Sequence, residues 1–593
     1  MDKMNLFDDK AAGSAIVGID LGTTNSAVAI YNAGTVPTLL PIGEDGKYTV
    51  PSCVRWDGFN EEQEPIFTVG AEAYRERYKP NVIYSIKRLM GSGQKVTFYA
   101  TDEVGLGNQS TSRKFLSTTP AVVSAQILKY LKQRVAEFYM PVTDCVITVP
   151  AYFNQRQIED TLEAAKWAGL NCRQILKEPT SASYIYSQLG HAGTGSVLIY
   201  DLGGGTFDVT HMNFLRKDAV PKKMLTSLKR QYGIELSNSG ADDNDQYFCR
   251  VLGTYGDMNL GGDDIDRELG KYLQKKENLA LSATGEEQLY LACESFKKSG
   301  IHGQDIVIED QKVHMSSTDL DVAVDKIFER TLRIMDDIDM SNVHTIVLVG
   351  GSTKSQRIRD NLAKAFPHVE ISAVLDPDAT VALGAGSVAK AIAKDSTLMY
   401  ADVLPLPIGV LVDESKVDVC IEKNTSMPHT TKKIYHTLHD NQSQITVHVY
   451  QGLSGNPKEC TYLGRLTLTD ILKAPAGDVD VVVSFILTGQ GRLKIISRID
   501  GIDKEEALVI DNIFDVKSEA ALDSDAGSGQ SDSSEGMSPQ DDFEEVFLPM
   551  AEGNDDVLAI FKTRRDVLRM GLDPEDKATR VQSCEDLIVE KLM

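Results

Sequence analysis

Nothing in the chain is arranged to hold a zinc ion or a disulfide framework. Its 8 cysteines are scattered (Cys53, Cys145, Cys172, Cys249, Cys293, Cys420, Cys460 and Cys584), with no CxxC pair among them. Both kinds of site need clustered thiols, so buried, reduced thiols are expected. His436 and His439 have no cysteine at ligand spacing and read as strand-face residues. No run reaches the roughly 18 apolar residues that span a bilayer; the best, around Val481–Leu487, is strand-length. Basic residues are in deficit, 61 against 86 acidic, for a net charge of -25. That balance argues against a nucleic-acid footprint and against docking on anionic lipid. The opening MDKMNLFDDK is polar and acidic, unlike a signal or transit peptide. A cytoplasmic protein with neither nucleic-acid nor membrane partners is the expectation. A GxxxxGK[ST] run is also missing, which excludes a P-loop.

What is present is ordinary globular material: 593 residues, 42% hydrophobic and 25% charged. Over residues 14–396, short β-branched runs (AIVGID, CVITVP, VLIYDLGGG, TIVLVGG) alternate with amphipathic stretches such as RQIEDTLEAAKWAGL. This pattern predicts α/β layers. The polar stretch 217–245 reads as a surface insertion. Residues 397–403 form a linker more apolar than a free spacer should be, which predicts docking, in two alternative states. From 404 to 510 the period changes to two, with Gly, Pro, Asn and Asp turns, and predicts a compact all-β unit. Residues 518–556 carry 12 acids and no Lys or Arg, a composition unable to bury enough surface to order itself. Residues 557–593 have the spacing of short helices, marginal alone.

An internal echo carries most of the functional information. Asp20-Leu-Gly-Thr-Thr-Asn25 follows one β run and Asp201-Leu-Gly-Gly-Gly-Thr206 follows another. Glycines let backbone N–H groups approach phosphate oxygens without Cβ obstruction. A single glycine hairpin is commonly structural, but two matched loops could clamp a polyphosphate from both sides. The aspartates would repel phosphate directly, so they imply a hydrated cation or an attacking water.

The segments IVGIDLGTTNSAVAI, SIKRLMG, ITVPAYFN, KEPTSA, DLGGGTFDVT, NLGGDDID, VLVGGSTK and DPDATVALGAG stand in one order along the chain. They resemble the signature segments of the seventy-kilodalton heat-shock chaperones of the DnaK type, and EKNTSMP, HDNQSQITVHVYQG and LGRLTLTDI extend the resemblance to about residue 500. The resemblance implies an α/β actin-like ATPase domain of duplicated RNase H-like lobes, followed by an all-β sandwich that grips extended apolar peptides. It implies ATP/ADP, Mg2+ and K+ as cofactors. Unfolded polypeptide, a J-domain cochaperone and a nucleotide-exchange factor would be the partners. Gly22, Thr23, Thr24 and Asn25 would face Gly203, Gly204, Gly205 and Thr206 across the phosphates, with Gly261 and Gly262 nearby. Lys87 would reach the γ-phosphate and position the attacking water. Asp20, Glu178, Asp201 and Asp208 resemble the carboxylates that hold Mg2+, K+ and water, with Asp20, Asp201 and Asp208 on the metal. Adenosine would lie against Gly350 and Gly351, near Ser352, Lys354 and Asp378, with Glu294, Lys297 and Lys298 on its other side. The peptide groove would use Ile408, Val410, Tyr435, Leu438, Ile445 and Val447. On their own, these positions also fit the inward face of any sandwich.

The chain departs from the family pattern in several places. Lys354 stands where an arginine stacks on adenine, and an ammonium does not stack as a guanidinium does. Ile158 and Gln174 replace arginines that couple the domains and receive the J-domain. Asp413 and Arg492 put charges at apolar groove positions. The tail leaves fewer than forty residues for a helical lid, so a reduced lid is expected. An ATP-dependent chaperone is therefore the leading expectation. A nucleotide-switched scaffold dedicated to one protein partner is the alternative. A small-molecule kinase on the same fold fits Lys87 and the β unit poorly.

Overall fold

The computed structural model describes residues 16–510, apart from 32–36, 101–114, 190–194, 217–246, 394–399, 488–492 and 500–504 and positions 414, 428, 470 and 472. The expected insertion 217–245, residues 397–399 of the linker, Arg492, the acidic 518–556 and the helical 557–593 therefore lie outside the described residues. So does the side chain of Asp413.

The duplication read from the two loops is also a duplication of sheet topology. In one six-stranded sheet, Ile16–Asp20 forms a hairpin with Asn25–Ile30, and Asp144–Val149 and Asn171–Lys177 continue it in parallel. In the other, Gly195–Leu202 forms a hairpin with Phe207–Arg216, with Val343–Val349 and Glu370–Ser372 in parallel beside it. The inner parallel strand Asp144–Val149 is buried throughout because helices cover both faces, whereas the edge strands Asn171–Lys177 and Glu370–Ser372 are only partly buried. Two helices, Glu178–Gln188 and Thr380–Ala393, lie between the sheets. Tyr184 packs in a cluster with Ile16 and Val146 of the first sheet, while Ala182 and Ile185 pack with Val197 and Ile199 of the second. Pro120–Phe138 and Gln155–Trp167 cover the outer face of the first sheet. Gly262–Glu277, Ala283–Ser299, Ser317–Met335 and Gln356–Ala365 cover that of the second. Local signals start these helices: Asn154 and Gln157 close a capping box, as do Ser316 and Asp319.

The period-two region folds as two four-stranded antiparallel sheets. One holds Lys416–Ile421, Ile408–Asp413, Gln444–Gln451 and Thr461–Thr469; the other holds His429–His436, Asp480–Leu487, Leu493–Ile499 and Glu505–Ile510. A single core lies between them, with Val449, Val481, Phe485 and Ile495 fully buried. His436 lies on its strand and pairs with Asp480 at 2.8 Å. His439 does not share that strand face, since the strand ends at His436 and His439 sits in the following bend.

The end of the linker is not a tether. Tyr400–Ala401 adds to the edge of the second sheet, pairing in parallel with Cys249 and Arg250. Beyond it Val403 is buried among the residues of the central helix cluster. Asn424 Oδ1 of the β unit accepts from Thr254 N–H at 3.0 Å. The seven described cysteines are all free. Among the described residues no helix is long and apolar enough to cross a membrane.

Gly18 marks a close approach of sheet to central helix. A Cβ there would lie 2.1 Å from Gly386 N and 2.3 Å from Ala385 C. Gly18→Ala must push the helix Thr380–Ala393 off the strand, at about 1–3 kcal/mol or more. A lower melting midpoint in calorimetry is the expected result; an unchanged one would show that the helix yields freely.

Candidate active site

The two Asp-Leu-Gly turns meet face to face. Asp20 ends its strand and Asp201 stands next to the end of the matching one. The second turn is closed by Gly203 N–H donating to Thr206 O at 3.0 Å. A Cβ at Gly204 would lie 1.7 Å from Thr24 Oγ1, and one at Gly205 2.3 Å from Thr23 Cγ2. Glycine is thus required for the loops to approach, and residues 22–25 and 203–206 line one crevice. The echo is not symmetric in chemistry, because Asp201 is paired in register with Asp208 whereas Asp20 is opposite Ala27.

Lys87 and Glu178 lie at this crevice. Lys87 sits on the short 3-10 turn Ile86–Leu89, not on a strand, and is only 5% exposed. Its Nζ donates to Glu178 Oε1 at 2.5 Å. Glu178 is the first residue of its helix and is buried. Asp201 and Asp208 are buried, at 5% and 1% exposure, and Asp20 is half-buried. Burial, reinforced by the charge of Glu178, pushes Asp20 up to about 7 and Asp208 up to about 8. Burial and the charges of Glu178, Asp208 and Asp20 hold Asp201 well above the usual carboxylate range. Lys87 opposes all three shifts, so one ammonium serves four acids.

The remaining predicted residues fall behind or beside the crevice. Gly262 N–H and Asp263 N–H donate to Gly203 O and Gly204 O at 2.9 and 2.8 Å. Gly261 and Gly262 therefore brace the glycine turn from behind. Ser352 Oγ also donates to Gly203 O, at 2.9 Å. Gly350 and Gly351 adjoin Asp201 and Asp378 respectively. Lys354 lies between Asp376 and Asp378, at 3.0 and 2.6 Å, which fixes its ammonium on carboxylates. Lys297 donates to Asp266 and to Gly262 O, both at 2.7 Å. Lys298 is 2.6 Å from Glu294.

Sequence reading missed the residues that close the cleft from the first lobe. Arg77 and Tyr74 Oη both bond Glu294, and Tyr84 Oη bonds Glu287. Ser85 reaches Asp263 at 2.7 Å, and Arg88 reaches Asp264 at 2.5 Å and Gly205 O at 2.9 Å. Arg88, Asp263 and Asp264 lay within quoted motifs, whereas nothing local marks Tyr74 or Arg77. Of these, Tyr74, Arg77, Tyr84, Ser85, Asp263 and Glu294 line a narrow cleft together with Thr23, Thr24, Asp266 and Tyr290.

In the β unit, Ile408, Val410 and Val447 are buried in the common core, with Tyr435 and Ile445 partly open against it. Tyr435 Oη donates to Asp418 at 2.9 Å. Leu438 stands apart, 68% exposed, in the bend after its strand.

The crevice residues fit a hydrated cation with a polyphosphate. Both carboxylate oxygens of Asp208, and Thr24 Oγ1, are buried without a hydrogen-bond partner. Orphaned acceptors beside three further acids call for positive charge. Among the described residues no three Asp, Glu, His or Cys side chains converge as direct metal ligands. If a cation is held here, Asp20, Asp201 and Asp208 are the acids that would face it, and Mg2+ usually keeps several of its waters.

An acid with a raised pKa disfavours the fold as it ionises. Its contribution to stability is full below about pH 4 and is lost as pH rises towards 8. In EDTA without nucleotide, Asp208→Asn should flatten this decline by a few kcal/mol, on the order expected for a shift of several pKa units. Melting midpoints of both proteins across that range test it, and parallel curves would refute the assignment.

Comparison with protein-family models adds an independent finding. The Hsp70 protein family matches residues 16–226 and 245–541, most of the chain and both of its architectural parts. With the paired phosphate-type loops and the β sandwich, this match establishes that the chain belongs to the Hsp70 family.

Proposed function

We propose that the chain is an ATP-hydrolysing molecular chaperone that binds extended apolar polypeptide and alters its grip with the nucleotide state. The observation that carries this reading is the meeting of the two Asp-Leu-Gly turns around the buried Lys87–Glu178 pair. Backbone N–H groups of residues 23–25 and 204–206 would hold the β- and γ-phosphates, on a turn that Gly203 N–H closes. Asp20, Asp201 and Asp208 would hold Mg2+, which would supply positive charge to the phosphates when bound; K+ is proposed as a second cation. Lys87, aimed by Glu178, would place its ammonium beside the γ-phosphate and orient water for in-line attack, with Asp201, Asp208 and Thr206 completing the water's surroundings. ADP leaves with its own charge stabilised, so positioning and electrostatics supply the rate without a covalent intermediate. On the nucleoside side, Glu294, Lys297 and Lys298 are already engaged with protein groups. Adenosine would exchange those contacts as it enters against Gly350 and Gly351.

In the β unit, Tyr435 and Ile445 are the partly open positions and would take apolar side chains, while backbone groups bind an extended chain independently of its sequence. The narrowness of that opening, with Ile408, Val410 and Val447 closed into the core, favours a second reading, a scaffold with one dedicated partner. A J-domain cochaperone and an exchange factor are proposed partners. Ile158 brings no charge to such contacts, being buried with Val149 and Phe153.

The test is ATP turnover with and without unfolded polypeptide. Lys87→Ala should lower turnover by at least about 100-fold, the scale of removing one preorganised charge, while nucleotide still binds in calorimetry. Ile445→Phe should abolish peptide stimulation and leave basal turnover intact. Wild-type turnover in Lys87→Ala would sink the ATPase reading. Recovery of one stoichiometric protein, with no response to a peptide library, would select the scaffold.

A further inference from the structure

The free thiols Cys145 and Cys172 stand opposite one another in the first sheet. They are register partners on the parallel strands Asp144–Val149 and Asn171–Lys177, and both pack in the apolar cluster under Pro120–Phe138 and Gln155–Trp167. Neighbouring strands run roughly 4.7–4.9 Å apart, inside the range of about 4.4–6.8 Å that a disulfide spans between Cα atoms. Among the described strands no other register pair joins two cysteines: Cys53 is opposite Tyr84, and Cys249 is opposite Phe214. The two thiols differ in access. Cys145 is 0% exposed on an inner strand, whereas Cys172 lies on the edge strand and keeps part of its surface open. Directly after the pair the register slips by one residue, so that Val146 faces Gln174 and Arg173 has no strand partner. A bulge of this kind lets a strand bend locally. Asp144 Oδ1 accepts from Asn171 Nδ2 at 2.7 Å and from Arg173 Nη1 at 3.3 Å, which holds the two strands together around the thiols. A hydrogen bond between the thiols draws Cys172 below the usual thiol range and pushes Cys145 above it.

We propose that Cys145 and Cys172 are a reversible oxidation site, at which hydrogen peroxide joins the two thiols in a disulfide. The Cys172 thiolate attacks one peroxide oxygen, the O–O bond breaks, and the departing hydroxide takes up the thiol's proton as water. Cys172 is left as a sulfenic acid. The Cys145 sulfur then attacks the Cys172 sulfur, the S–O bond breaks, and a second water leaves with the proton of Cys145. The two thiols lose two electrons and two protons, and peroxide gains both to become two waters. A dithiol reductant reverses the bond by exchange. The order follows from access, because peroxide meets the edge-strand thiol first and the enclosed thiol is placed to resolve it. The bond ties the edge strand to its inner neighbour beside the bulge and closes a loop containing the helix Gln155–Trp167. It does not depend on nucleotide chemistry in the cleft.

The test uses the full, folded and fully reduced chain, treated with hydrogen peroxide, blocked with iodoacetamide in denaturant and digested without reductant. Mass spectrometry should find one linked product, the peptides of Cys145 and Cys172 joined with the loss of two hydrogens, while the other cysteines are alkylated. Dithiothreitol before blocking should return both peptides to the alkylated form. Cys145→Ala removes the resolving thiol, so dimedone added with the peroxide should label Cys172 as a trapped sulfenic acid. Cys172→Ala should leave Cys145 reduced and unlabelled. Peptides of Cys145 and Cys172 that stay unlinked in the unaltered chain overturn the proposal. So does a mixture of pairings in which this one is no more frequent than the rest. Both outcomes are read without any variant, so they hold even where a substitution in the core prevents folding. Dimedone on Cys145 in folded Cys172→Ala would overturn the assignment of Cys172 as the thiol that meets peroxide.

Discussion

Four acids, three of them buried, around one buried ammonium set the terms for the rest of the molecule. Glu178 takes Lys87 directly, which leaves Asp20, Asp201 and Asp208 without a compensating charge of their own. Such a cluster is unfavourable in an isolated fold, and the surrounding architecture is what holds it together. Two strands end beside it, two central helices lock the sheets behind it, and the glycine turns approach to contact in front. The strain is concentrated where a cation and phosphate would relieve it, which is how functional sites retain unfavourable local arrangements.

The cleft above this cluster is closed by a different kind of interaction. Tyr74, Arg77, Tyr84, Ser85 and Arg88 all cross from the first lobe to acids of the second. Those contacts are polar, unlike the apolar clusters that join the central helices to each sheet. Arg88 and Asp264 keep some exposure, whereas Arg77 and Glu294 are about nine-tenths buried, so opening the top of the cleft has to give both of those charges new partners. The same division explains why Glu294, Lys297 and Lys298 are occupied by protein partners although they lie beside the cleft.

The sequence made some of this legible and hid the rest for physical reasons. The need for glycine at 204 and 205 is a local steric demand, and it showed as a repeated motif. The β unit was equally readable because period-two alternation reports one buried face. That same alternation could not separate core from groove: Ile408 and Val410 look like Ile445 in sequence, yet the first two are closed in and the third is partly open. Leu438 kept its motif position but lies beyond the strand end, where a bend turns it outward. Tyr74 and Glu294 are 220 residues apart, and neither carries a signal of its partner. Lys177 of KEPTSA pairs with Asp402, across the whole second lobe, and nothing local marks that partner.

The strand Tyr400–Ala401 also has a role as an edge guard. It occupies backbone groups beside Cys249 and Arg250 on the outermost long strand of the second sheet. Any state that withdraws the segment leaves those donors and acceptors bare, and an uncovered edge is a template for pairing with another chain. The released form would thus be the one prone to self-association, and the time spent in it would limit how concentrated the protein can become.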